Sequence, residues 1–217
     1  VGEDRRGGTP TSVGSPPTPN PSPQGGGESP SPSPFAQTAA LATRLISEAF
    51  AAIDHDDIRT LTAKDALLPH TLAALDHTPA AGPDAAWSGY LADETGSWQF
   101  IRGDAPGALA NFEKSLGIRE KLAASDPGRV QWQTDVVVSC CKIAGAGGEP
   151  RANYLKALNI LQRLDGEGRL PGAQKSWIPA IEGELAKLDG GGASAAIAAK
   201  APAPAKTGWL ARLMGRG

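Results

Sequence analysis

The sequence predicts an all-α protein: an α-solenoid of about seven antiparallel helices between two tails that carry no apolar period. Three observations lead there. Apolar residues recur at three- and four-residue steps from Phe35 to about Asp189, the spacing of one helical face. Glycine, aspartate and proline divide that region into pieces of helix length, as at Gly103-Asp104 and Asp126-Pro127-Gly128. Shifting the chain against itself by 42 or 45 residues brings like residues together, the behaviour of stacked repeats.

The expected elements follow in order. Residues 35–53 place Leu41, Leu45, Ile46, Ala49, Phe50 and Ile53 on one face of a first helix. A weaker second helix covers 56–77, where Pro69 should kink or restart it because proline removes a hydrogen bond and crowds the preceding turn. A third runs from 85 to 102, with Tyr90, Leu91, Thr95, Trp98 and Ile101 in a looser stripe. The fourth, 104–125, has a tighter stripe of Ala108, Leu109, Phe112, Ser115, Leu116 and Leu122. Helices at 130–144, 149–164 and 173–188 complete the set, the last aligning Trp177, Ile181, Leu185 and Leu188 before Gly190-Gly191-Gly192. The domain division is therefore 1–34, 35–189 and 190–217.

The stretch 96–118 is the most informative. Glycine tolerates the left-handed conformation that ends a helix, so Gly103 reads as a stop; Asp104 reads as the cap of the next helix, with Pro106 in its first turn. Gly96 sits inside a helix, where glycine costs roughly 1 kcal/mol against alanine; close approach of a second helix is the expected compensation. This pattern resembles the tetratricopeptide repeat family, which puts a glycine in the first helix, a Gly-Asp turn seven residues on, then a small, an aromatic and a small residue along the second. Gly96, Gly103-Asp104, Ala108, Phe112 and Ser115 occupy those places. The chain departs from the family in the closing proline, which comes late, at Pro127, so the second helix is read as about two turns longer than the family's. The phrase LAASDPGxxxWQxD is similar to a bacterial long-helix subgroup.

The self-comparison extends the pattern. A shift of 42 maps Asn111, Phe112, Lys114, Leu116, Ile118 and Leu122 onto Asn153, Tyr154, Lys156, Leu158, Ile160 and Leu164, a second copy of the long helix. A shift of 45 maps Trp87 to Trp132 and Trp132 to Trp177, each near a helix start. The two shifts differ by about one turn, read as turn-length insertions and deletions in AGAGGEP and DGEGRLPG. Inter-repeat packing is the expected role of these tryptophans, with a ligand pocket as the alternative.

Composition and charge narrow the partner class. Residues 1–34 hold nine prolines, seven glycines and six serines, too little apolar surface to offset the entropy of ordering, and disorder is expected. Within it, 18–28 resembles a peptide produced when bacterial intergenic palindromic repeats are translated, which implies a spacer or a misplaced start; a Pro-rich ligand is the alternative. Residues 35–189 carry 15 Lys plus Arg and 20 Asp plus Glu, an acidic balance that argues against nucleic acid. From Gly190 on, Lys200, Lys206, Arg212 and Arg216 face no acid. The 207–217 segment lets Trp209, Leu210, Leu213 and Met214 share a helical face, either a docking peptide for a membrane surface or partner groove, or a frayed end.

Chemistry-bearing residues are sparse. His70 and His77 lie seven apart, about 10 Å along a helix, too far to share one metal ion. His55 sits among Asp54, Asp56 and Asp57, which read as a solvated helix junction in preference to a cation site. Cys140 and Cys141 lack CxxC spacing and are expected to be buried free thiols, in keeping with a cytoplasmic setting. No catalytic, metal or cofactor site is expected, and no phosphate loop or nucleophile elbow is present. The family resemblance implies a scaffold or adaptor that holds a partner protein or peptide on the concave face lined by first helices. Carried onto the best repeat, the groove residues are Tyr90, Asp93, Ser97, Phe100 and Ile101. The repeat-packing set is Gly96, Gly103, Ala108, Phe112 and Ser115, with Tyr154 and Leu158 in the second copy. A regulatory repeat module of a larger signalling or effector protein is the alternative, and a metal enzyme built on the His55 cluster is a third.

Overall fold

The computed structural model describes residues 33–53, 58–78 and 84–190, and every described regular element is helical. Seven α-helices follow one another: α1 Pro34–Ala51, α2 Ile58–His77, α3 Ala85–Ile101, α4 Ala105–Ser125, α5 Val130–Gly145, α6 Pro150–Gly166 and α7 Trp177–Gly190. Consecutive helices pack as antiparallel neighbours, and α1 also meets α3. Among the described residues no helix is long and apolar enough to cross a membrane.

Helix starts follow local chemistry. The Ser33 hydroxyl accepts from the Ala36 amide and Pro34 takes the first turn of α1. Asp104 Oδ1 accepts from the Gly107 amide at 3.0 Å, while its Oδ2 accepts from the Gln99 side chain at 2.9 Å. Asn111 in turn donates to Gln99 Oε1 at 2.7 Å, so the turn between α3 and α4 is locked by three side chains. A Cβ on Gly107 would collide with the ends of the Asp104 and Gln99 side chains and would have to displace them from this cap.

Helix ends repeat one motif. In α3 the amides of Arg102, Gly103 and Asp104 donate to the carbonyls of Trp98, Phe100 and Gln99. In α5 Ala146, Gly147 and Gly148 do the same to Lys142, Ala144 and Ile143, and in α6 Glu167, Gly168 and Arg169 to Arg163, Asp165 and Leu164. Each cap has a glycine at positive φ: 84° at Gly103, 94° at Gly147 and 67° at Gly168. An L-residue with a Cβ is disfavoured in that conformation.

Two expectations are corrected, and of the two outcomes expected at Pro69 a restart is removed, since one helix, Ile58–His77, runs through it. The expected 173–188 helix is a 3₁₀ turn at Gly172–Gln174 followed by α7 from Trp177. The apolar face read in α1 holds at Phe50, which is buried, and at Ile46, which packs against the Leu75, Leu91 and Ala92 cluster, but Leu41 and Leu45 are 58% and 56% exposed, and Ala40, Thr43 and Ser47 are buried in their stead. Small residues let α1 lie close to its neighbours. Thr43 and Ser47 donate to the carbonyls of Ala39 and Thr43, which removes the penalty of burying a hydroxyl.

The principal core runs from α4 to α7. It joins Phe112, Val136, Val137, Cys140, Cys141, Tyr154, Leu158, Leu161, Leu164, Ile181 and Leu185 in one contiguous cluster. A second, small cluster of Leu75, Leu91 and Ala92, flanked by Ile46 and Ala74, holds α1 and α2 to α3.

Candidate functional site

The α3–α4 hairpin is built on Gly96. A Cβ placed there would stand 2.8 Å from two atoms of the Phe112 ring and 3.0 Å from the Ala108 carbonyl oxygen, so the two helices cross at the missing side chain. Ser115 donates to the Gly89 carbonyl at 2.9 Å one turn further along, where a Cβ on Gly89 would press on Ile118. Ala108, Phe112 and Ser115 are fully buried. Tyr154 and Leu158 occupy the matching stretch of α6 and are buried too.

Two residues placed in an open groove by the sequence are internal. Asp93 is 4% exposed and Ser97 2%, which corrects the expectation that both face a partner. The reason lies across the stack. Lys142 of α5 reaches back and places its ammonium 2.6 Å from Asp93 Oδ2 and 2.9 Å from the Ser97 hydroxyl. Arg119 of α4 donates one nitrogen to Asp93 Oδ1 at 3.1 Å, to the Ser139 hydroxyl at 2.7 Å and to the Asp135 carbonyl at 3.2 Å. Burial pushes the Asp93 carboxyl up, but the adjacent Lys142 and Arg119 charges, with their hydrogen bonds, outweigh it and hold the group below its ordinary value. Asp93 is thus a buried carboxylate between two cations, a bolt through α3, α4 and α5.

The other expected groove residues remain at or near the surface. Tyr90 is 37% exposed, and Phe100 and Ile101 are partly covered, with Phe100 also packed against the principal core. Trp87 stands edge-on to Tyr90, with centroids 6.4 Å apart, and the Arg44 guanidinium of α1 lies 5.5 Å over the Trp87 ring. The Tyr90 hydroxyl is pushed up by burial and by the Glu94 and Asp93 carboxylates. An aromatic and cationic patch therefore joins α1 to the exposed side of α3. Trp132 and Trp177 likewise sit near helix starts, Trp132 under the Arg129 guanidinium at 4.6 Å and Trp177 against the principal core.

Sequence reasoning missed Arg119, Ser139 and Lys142. A signal existed for the last: Lys142 is a lone cation in the run VVVSCCKIAG, and a cation inside an apolar helix requires a buried acid somewhere. Its partner is 49 residues away, so the pairing itself was invisible.

Cys140 and Cys141 are free, buried thiols. Burial pushes Cys140 up to about 11 and raises Cys141 as well, leaving both protonated and unreactive near neutral pH. Among the described residues no group of three or more His, Cys, Asp and Glu is placed to hold a metal ion. His55 with its flanking aspartates, and the 207–217 segment, lie outside the described residues. His77 makes an edge contact with the Phe35 ring at 5.9 Å, and His70 is exposed on α2. No family model matches the chain, and no curated protein or solved structure matches it.

Proposed function

We propose that this helical stack is a tetratricopeptide-like scaffold that holds a partner peptide along the face shared by α1, α3 and α5. The observation that carries the reading is the α3–α4 hairpin: Gly96 is packed under Phe112 and Ala108, at the spacing with which the family packs the first helix of a repeat on its second.

With Asp93 and Ser97 committed to the internal ion cluster, the binding surface contracts onto Tyr90, Trp87 and the exposed leucines of α1. Aromatic rings of this kind supply contact area at low entropic cost and anchor interfaces. An apolar side chain of the partner, flanked by a group that accepts from the Tyr90 hydroxyl, matches that surface. The reading is tested by quantitative pull-down with the full chain. Tyr90→Ala and Trp87→Ala should each lose a common partner by about tenfold or more, a loss of about 1.4 kcal/mol, whereas Leu155→Ala on α6 should retain it. Equal capture by all three variants removes the groove assignment.

A further inference from the structure

Contacts between α3 and α4 reach Ile118 and Arg119, opposite Gly89 near the start of α3, and the last turn of α4 runs on past them. α4 has 21 residues against 17 in α3, and its final turns run beyond the Gly96 crossing. α4 and α6 flank α5, and a cleft of about 420 Å³ opens between them. Its apolar lining is Ala123, Ala124 and Pro127 from the end of α4, Val136 from α5 and Ile160 from α6. Its polar lining is Glu120, Gln133, Lys156 and Arg163.

The rim is asymmetric in charge. Lys156 and Arg163 stand seven residues apart on α6, about 10 Å along its axis, so one cation marks each end of the apolar strip. Lys156 is paired across the cleft with Glu120, and Arg163 donates to Gln133 while pairing with Glu167 at 3.1 Å. Arg169 adds a third cation at the Pro127 end, donating to the carbonyls of Pro127 and Gly128 at 3.1 and 2.8 Å. Three cations thus face two carboxylates, Glu120 and Glu167. The Lys156–Glu120 pair is about half exposed, and an exposed pair contributes little, so a ligand carboxylate can replace Glu120 at the ammonium at small cost.

We infer that this cleft is a binding site for an amphipathic monocarboxylate of medium chain length, with its carboxylate on Lys156 and its chain along Ala123, Val136 and Ile160 towards Arg163. The volume lies within the range of small-molecule sites, and mostly apolar walls with a few polar groups at the rim are their usual make-up. The chain supplies contact area and the cations set orientation. This site is separate from the face that carries Tyr90 and stands whether or not that face holds a peptide.

The test is a titration of the isotope-labelled full chain with decanoate, decanol and acetate, read by amide chemical shifts. Decanoate should saturate with a Kd of about millimolar or tighter and move the amides of Ala123, Val136 and Ile160. Decanol should bind at least about tenfold more weakly, and acetate should leave those amides unmoved. The double variant Lys156→Ala, Arg163→Ala should keep its helical circular dichroism and lose the preference for decanoate over decanol. Ala123→Phe should fill the cleft and abolish the shifts. Equal binding of decanoate and decanol, shifts confined to other helices, or decanoate binding that survives Ala123→Phe would each overturn the site.

Discussion

Single residues decide where the helices touch, and glycine shows it most directly. Gly96 and Gly117 are both interior helix glycines, and helix propensity alone would favour alanine at each by roughly 1 kcal/mol. Their surroundings differ. A Cβ at 96 meets the Phe112 ring at 2.8 Å, whereas a Cβ at 117 meets nothing within 4 Å. Gly96→Ala should therefore destabilise by about 1–3 kcal/mol through overpacking, and Gly117→Ala should stabilise by up to about 1 kcal/mol; urea unfolding followed at 222 nm checks both signs. The thiols give a second prediction at this scale. With Cys140 held up to about 11 and Cys141 raised by burial, a disulfide reagent at pH 7 should label neither cysteine until denaturant is added. Prompt labelling of the native chain would show that the α5 thiols are not sealed in the core.

Between helices, the bolt at Asp93 replaces what the sequence suggested was a ligand contact. One carboxylate joins α3 to α4 through Arg119 and to α5 through Lys142, at 3.1 and 2.6 Å. Removing one member leaves buried charge without compensation, which costs far more than the net contribution of the intact cluster. Asp93→Asn should cost about 3–5 kcal/mol at pH 7. Because the folded carboxyl lies below its ordinary value of 3.8, its contribution is present above that pH and is lost as pH falls through the folded value. The stability gap between the natural chain and Asp93→Asn should accordingly close on acidification below about pH 4, measured by denaturant midpoints across pH. A gap that persists unchanged to pH 2 would rule out the ionised Asp93 as its source. The repeated caps belong to this scale as well. Those of α3 and α5 lie 44 residues apart, between the shifts of 42 and 45 seen in the sequence, because each hairpin absorbs its own small change of loop length.

Across the whole described stack, the apolar clusters are unevenly distributed. The principal core links α4 through α7, whereas α1 and α2 are held through a few residues around Leu75, Leu91 and Ala92, together with ties such as Trp98 to Asp65 at 3.0 Å and Lys114 to the Leu75 carbonyl at 2.5 Å. In a stack whose elements touch mainly their neighbours, a weakly joined end opens alone. Amide exchange followed by mass spectrometry should show α1 and α2 exchanging well before α5 and α6. Protection in α1 equal to that in α5 would show that the molecule opens as one unit.

The sequence by itself determined the helices, their order and the crossing at Gly96, since helical period, capping chemistry and the Gly-Asp turn act over a few residues and leave local marks. Six of the seven helix positions were legible with only small shifts at their ends, α2 among them despite Pro69 inside it. The exception was α7, where Gly172–Gln174 forms a separate turn. The tertiary structure alone decided which faces are covered. Leu41 and Leu45 carry the stronger apolar signal in α1, yet Thr43 and Ser47 are buried, because their small side chains permit close approach and their hydroxyls bond within the helix. Asp93 reads as a surface acid until Lys142, 49 residues on, comes to rest against it. Burial and charge pairing depend on which helices stack, and that information is non-local.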